Sequence, residues 1–145
     1  MVDETQRVED WELLTQFAQA YRTLSDTFMD QIMMHRAQAT LLCKLFIQDG
    51  MTQSEIAQQL AVQGATVTDM LQRMEENNLV TRRRDPDDNR LVRVYLTDEG
   101  RKKERSITEQ FLKLEDAIFA DFDESERTIL RQMLHRMLHN IGVER

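Results

Sequence analysis

Between Thr52 and Gly100 the hydrophobic period changes from helical to strand-like, and few folds accept that change in so short a span. Thr52-Gln53-Ser54-Glu55 has the form of a capping box, so a short helix is expected over residues 52–60, with Ile56, Ala57 and Leu60 inward. A second helix is expected over residues 63–77, because Val67, Met70, Leu71 and Met74 fall at i, i+3, i+4 and i+7. The period then drops to two. Strands are expected over residues 79–84 and 90–96, with Val92, Val94 and Leu96 on one face and Arg93 and Tyr95 on the other. The connection is Asp85-Pro86-Asp87-Asp88-Asn89. It holds the only proline, where a missing N–H costs nothing.

Two helices followed by a hairpin with arginines at its base and tip form the pattern of a winged helix-turn-helix. The physics suits duplex DNA: one helix fills a major groove while a cationic hairpin reaches along the backbone toward the minor groove. The second helix leaves Gln63, Ala65, Thr66, Thr68, Asp69, Gln72 and Arg73 outward as candidates for reading bases, with Thr52 and Ser54 at the start of the first. Arg82, Arg83, Arg84, Arg90 and Arg93 are candidates for phosphate and the minor groove, where arginine favours narrow, electronegative segments. The bland alternative is a solvated hairpin that blunts a sheet edge.

The net charge of -7 argues at first against a nucleic-acid partner. Its distribution argues the other way. The first 35 residues hold seven acids and two bases, whereas the hairpin sets five arginines against Asp85, Asp87 and Asp88. Basic charge is focused where a wing would meet phosphate, and the acidic body is held off the DNA.

The flanks read as long helices. Val8, Trp11, Leu14, Phe17, Ala18, Tyr21, Leu24, Phe28 and Ile32 predict a helix over residues 8–33, about 39 Å long at 1.5 Å per residue. A second is expected over residues 35–48, with Ala37, Leu41, Leu42, Leu45 and Phe46 inward, ended by Asp49-Gly50 in a left-handed turn. Thr97-Asp98-Glu99 opens a long helix striped by Ile107, Phe111, Leu114, Ile118 and Phe122. Asp123-Glu124-Ser125-Glu126 caps a last helix carrying Ile129, Leu130, Met133, Leu134, Met137, Leu138 and Ile141. This is more apolar surface than one subunit covers. Trp11, Leu14, Phe17, Ile118, Phe122, Leu130, Leu134, Met137, Leu138 and Ile141 are therefore expected at a dimer interface. The expected fold class is mainly α with a small β-hairpin wing, an α/β winged helix-turn-helix with helical dimerisation extensions at both termini. Residues 1–36 and 99–145 are the extensions, and 37–98 the DNA-binding lobe.

Other chemistry is poorly supported. A lone cysteine excludes an internal disulfide framework, and no apolar run reaches membrane-span length. With no signal peptide at its start, the chain is expected in the cytoplasm. There is no phosphate loop, nucleophile elbow, triad or metal motif, so neither an enzyme nor a cofactor is expected. Cys43 reads as a buried, inert thiol, with a redox sensor as the alternative. His135 and His139, at i and i+4, read as an exposed or interface pair rather than a metal site. The methionines Met29, Met33, Met34, Met70, Met74, Met133 and Met137 read as core. The competing function is a winged-helix protein–protein adaptor, which the acidic body favours.

The segment Arg82-Arg83-Arg84-Asp85-Pro86-Asp87-Asp88-Asn89-Arg90, followed by Val92, Val94 and Leu96-Thr97-Asp98-Glu99-Gly100, resembles the wing signature of MarR-family transcriptional regulators. Ser54-Glu55-Ile56-Ala57-Gln58-Gln59-Leu60 and Thr66-Val67-Thr68 fit the same family without a gap, and the helical extensions fit its architecture, so the resemblance covers nearly the whole chain. It implies a homodimer on a pseudo-palindromic operator, usually a repressor released by a small ligand or by oxidation. It assigns Arg90 to the minor groove, Asp88 to orienting it, and Arg82 to the wing base. Family ligands, often aromatic acids, lie between the dimer helices and the DNA-binding lobe. Arg22, His35 and Arg36 are the candidates for an anion there. The chain departs from the family at Asp69, where a basic residue is common, and at Gln63-Gly64, where a Ser/Thr cap with Lys is common. Asp69 would repel phosphate yet can accept a hydrogen bond from cytosine N4.

Overall fold

The computed structural model describes residues 1–143. In chain order it runs α1 (Glu4–Asp30), α2 (Arg36–Ile47), β1 (Met51–Thr52), α3 (Gln53–Leu60), α4 (Gly64–Glu76), β2 (Val80–Arg84), β3 (Val92–Leu96), α5 (Asp98–Lys102), α6 (Glu104–Ile118) and α7 (Glu124–Asn140). By packing, these elements form two units that meet within α6, Met1–Phe111 and residue 112 onward. The functional boundaries expected after residues 36 and 98 do not coincide with that break.

In the first unit, Leu41, Leu42 and Leu45 of α2, Ile56 of α3, and Val67, Leu71 and Met74 of α4 close over Val94 of β3. Met29 of α1 and Ile107 of α6 join the same cluster. Each such side chain contributes about 1.5–3 kcal/mol relative to exposure. The helical stripes expected of α3 and α4 are thus the faces that are buried. The strands lie in the order β1-β3-β2, all antiparallel. The hairpin register runs from Val80 opposite Leu96 to Arg84 opposite Val92, shorter than expected at both strands.

β1 is a strand that the sequence reading lacks. Gly50, at φ +77°, turns the chain out of α2, and its N–H donates to the Val94 carbonyl at 3.0 Å. That sets Met51 opposite Val94 and Thr52 opposite Arg93. Thr52 then caps α3 as expected: its hydroxyl accepts from the Glu55 N–H at 3.1 Å, and its own N–H donates to Glu55 Oε2 at 2.8 Å.

Other expectations need correction. α1 ends at Asp30, before residue 33, because the chain passes through Met33 at φ +53°. On α2 Ala37 is exposed, and Gln38 and Ala39 are buried in its place. The long helix expected after Thr97 is broken at Lys103 into α5 and α6. Met29, Met34 and Met74 are core, but Met33, Met133 and Met137 are exposed.

Gly100 explains the end of the wing motif. The Thr97 hydroxyl accepts from the Gly100 N–H at 3.0 Å and donates to the Asn78 carbonyl at 2.6 Å, while the Thr97 N–H donates to the Leu79 carbonyl at 3.1 Å. This lays the start of α5 on the α4–β2 connection. A Cβ at residue 100 would stand 2.1 Å from the Leu79 carbonyl oxygen, so only glycine fits.

In the second unit, the Arg127 guanidinium pairs with Glu115 and stacks 4.6 Å over the Phe119 ring, which meets Phe122 edge-on at 5.6 Å. The Asp123–Glu126 capping box opens α7 as expected. Among the described residues no side chain of α7 is buried. No helix among them is long and apolar enough to cross a membrane.

Candidate nucleic-acid interface

α4 buries Val67, Leu71 and Met74, and by its period presents Gln63, Ala65, Thr66, Thr68, Asp69, Gln72 and Arg73 outward, all exposed. The Thr68 hydroxyl donates to the Gly64 carbonyl at 3.1 Å and accepts from Gln53 Nε2 at 3.4 Å, which ties α3 to α4 on the outward side. No side chain caps α4 at Gln63, so its first amides are left to solvent or an anion. Ser54 is exposed as expected. Thr52 is not available to DNA: it is buried, and its hydroxyl is occupied by the cap.

The wing turn is built by two aspartates with different tasks. Asp85 is buried. Its Oδ1 accepts from the N–H groups of Asp87 at 2.8 Å and Asp88 at 3.1 Å, and its Oδ2 accepts from Arg93 Nε. Arg93 also donates from Nη1 to the Gly50 carbonyl at 2.9 Å. The Arg93 guanidinium beside it, with the turn amides, holds the Asp85 carboxyl below the usual carboxylate range. Arg93 is thus a clamp between β1, β3 and the turn, not the free phosphate contact expected.

Asp88 faces the tip. Its Oδ1 accepts from the Arg90 N–H at 3.1 Å and from Nε at 3.0 Å, and its Oδ2 from Nη2 at 3.1 Å. This fork lowers the Asp88 carboxyl, raises the Arg90 guanidinium and aims a side chain that is 89% exposed. Arg84 Nη1 donates to the Asn89 carbonyl at 2.7 Å, and Arg83 lies 5.4 Å over the Tyr95 ring. Both remain exposed. Arg82 is partly buried and bound to Glu75 of α4.

The proposed anion residues are only partly brought together. His35 and Arg36 line a cleft of about 450 Å³ with Asp26, Thr66, Asp69, Met70 and Arg73. Arg36 is engaged by Asp26 at 3.4 Å. Arg22 lies elsewhere, in a depression with Trp11 and Leu14. Burial pushes the Cys43 thiol up; Glu104 adds to the rise and Lys44 opposes it, so the reactive thiolate is scarce near neutrality. His135 and His139 are exposed, and among the described residues no three or more His, Cys, Asp or Glu gather where they could hold a metal ion.

The residues missed by sequence were Asp85, Glu75 and Asp49. Asp85 carried a local signal, since an aspartate before Pro-x-Asp readily caps its own turn. Glu75 and Asp49 carried none, because their partners, Arg82, Leu96 and Arg101, are set by tertiary packing.

Residues 34–92 match the model of the MarR family. Over 134 residues the chain is 30% identical to an uncharacterised HTH-type transcriptional regulator of Bacillus subtilis, YdgJ, covering 92% of this chain and 82% of that protein. The structure of an S. aureus MepR–DNA complex superposes with a TM-score of 0.80 at 27% identity, over 89% of this chain and 96% of that one. A MarR protein from Peptoclostridium difficile, at 20% identity, shares the fold with a TM-score of 0.84 over 97% and 92% of the two chains.

Proposed function

The chain belongs to the MarR family of transcriptional regulators, and from that premise we propose that it is a homodimeric repressor of a pseudo-palindromic operator, released by a small ligand. It is a regulator rather than an enzyme. The observation that carries the reading is the pairing of α4's exposed face with Arg90, held out at the wing tip by the Asp88 carboxylate. α4 reads the major groove and Arg90 enters the adjacent minor groove. Residues 37–98 form the DNA-binding lobe, and residues 1–36 and 99–145 supply dimer contacts. Trp11, Leu14 and Phe17 on α1, Leu134 and Met137 on α7, and Ile141 just after it are exposed in the single chain, which supports pairing with a second copy. The cleft at His35 and Arg36 is the place for an effector anion, because it shares Thr66, Asp69 and Arg73 with the reading helix.

Two substitutions test the DNA contacts. Arg90→Ala is expected to weaken operator binding roughly tenfold to a hundredfold while leaving thermal stability nearly unchanged, since a tip side chain is removed. Fluorescence anisotropy at fixed salt measures this, and an unchanged affinity means that the wing does not touch DNA. Asp69→Ala should shift base preference and strengthen binding to unrelated duplexes, because an acid is withdrawn from the phosphate-facing surface. Identical motifs and identical non-specific affinity for both proteins would remove Asp69 from the base-reading set.

A further inference from the structure

We propose that Glu75 is a positioning residue for DNA reading, a strut that sets the wing against the reading helix through Arg82. The inference rests on the DNA-binding function proposed above. Glu75 sits in the last turn of α4. Its carboxylate takes three hydrogen bonds from one residue of β2: from the Arg82 N–H at 2.7 Å, Nε at 3.0 Å and Nη2 at 2.9 Å. The backbone bond fixes where the strand starts beside the helix. The guanidinium fork fixes its orientation. The covalent link between the elements is only Asn77, Asn78 and Leu79, with Asn78 in the left-handed region at φ +57°.

Arg82, like Arg93, is held by a carboxylate and differs from the exposed arginine at the wing tip. Its side chain is 25% exposed against 89% for Arg90, and Nε and Nη2 are spent on Glu75. The Arg82 fork also holds the Glu75 carboxyl below its ordinary range. A guanidinium engaged in this way transmits position and is not a free phosphate ligand.

The consequence for recognition follows from two kinds of contact. Phosphate attraction tolerates a loosely held wing. Simultaneous engagement of base edges by α4 and of the minor groove by Arg90 does not, because ordering a loose hairpin on binding costs affinity. Loss of the strut therefore lowers the preference for operator over unrelated DNA, not the general attraction to DNA.

The test is a double-mutant cycle on Glu75→Ala, Arg82→Ala and the pair, in the full-length protein. The probes are the duplex enriched by wild type from a random pool and a scrambled duplex of the same length. Each single variant is expected to lower the ratio of the two affinities about tenfold, and the double variant no further. The salt dependence of Arg82→Ala should equal that of wild type. A slope reduced by about one charge makes Arg82 a phosphate contact and overturns the strut. So do multiplicative single effects or an unchanged ratio. If the alanine variants do not fold, Glu75→Gln and Arg82→Lys carry the same cycle. Amide exchange of the Arg82 N–H without DNA separates this idea from the function it rests on. Faster exchange in Glu75→Ala, which has no side-chain acceptor, supports the strut, and unchanged exchange overturns it, whether or not any duplex is bound. A wild-type protein with no preference among duplexes would instead contradict the DNA-reading function.

Discussion

Leu134→Glu combined with Leu138→Glu is expected to abolish dimerisation and operator binding together. α7 shows Ile129, Met133, Leu134 and Met137 to solvent, with Ile141 just after it, and buries none of its side chains among the described residues. α1, which buries only Ser25 and Met29, also exposes Val8, Trp11, Leu14, Phe17 and Tyr21. Leaving such faces in water costs about 25 cal/mol per Å² of apolar surface, several kcal/mol for a few large side chains. In the proposed homodimer a second copy would remove that cost. It would also set two reading helices about 34 Å apart, one turn of DNA, as an inverted repeat requires. Two glutamates in the stripe would be desolvated without partners in any such interface. Sedimentation equilibrium beside an anisotropy titration gives the result. A stable wild-type monomer at micromolar concentration contradicts this account, as does a monomeric variant that still binds the full operator at wild-type affinity.

Gly100→Ala is expected to destabilise the protein by about 3 kcal/mol. The sign is informative, because Gly→Ala in a helix ordinarily stabilises by roughly 0.5–1 kcal/mol. Here the new methyl would stand 2.1 Å from the Leu79 carbonyl oxygen, a backbone atom that cannot swing away. To relieve the overlap α5 must lift from the α4–β2 connection, breaking the Thr97 bonds to Asn78 and Leu79. Urea unfolding followed by circular dichroism reads the shift in midpoint. A variant as stable as wild type would mean that α5 moves freely against the connection.

What could be foreseen differs sharply between residues. The faces of α3 and α4 and both capping boxes are local consequences of spacing, and they appear where spacing put them. β1 did not, because Met51 and Thr52 make too short a strand to leave a periodic trace. The break at Lys103 and the buried Gln38 also depend on what lies opposite them in the fold. At the candidate site the outward residues of α4 were legible from its period, and the Asp88–Arg90 pair only through the resemblance to the MarR wing. The tasks of Arg82 and Arg93 were not. As arginines in a basic hairpin they looked alike, and only tertiary partners, Glu75 for one and Asp85 with Gly50 for the other, separate clamps from free cations. A net charge of -7 was the most misleading global quantity, because recognition depends on where the charge lies.

Selection of binding sites from random duplex DNA with the full-length protein tests the central claim most directly. The expected result is one enriched motif with two inverted half-sites about one helical turn apart, bound with a stoichiometry of one dimer. Loss of enrichment for every sequence, or a single half-site bound equally well by a monomer, would contradict it.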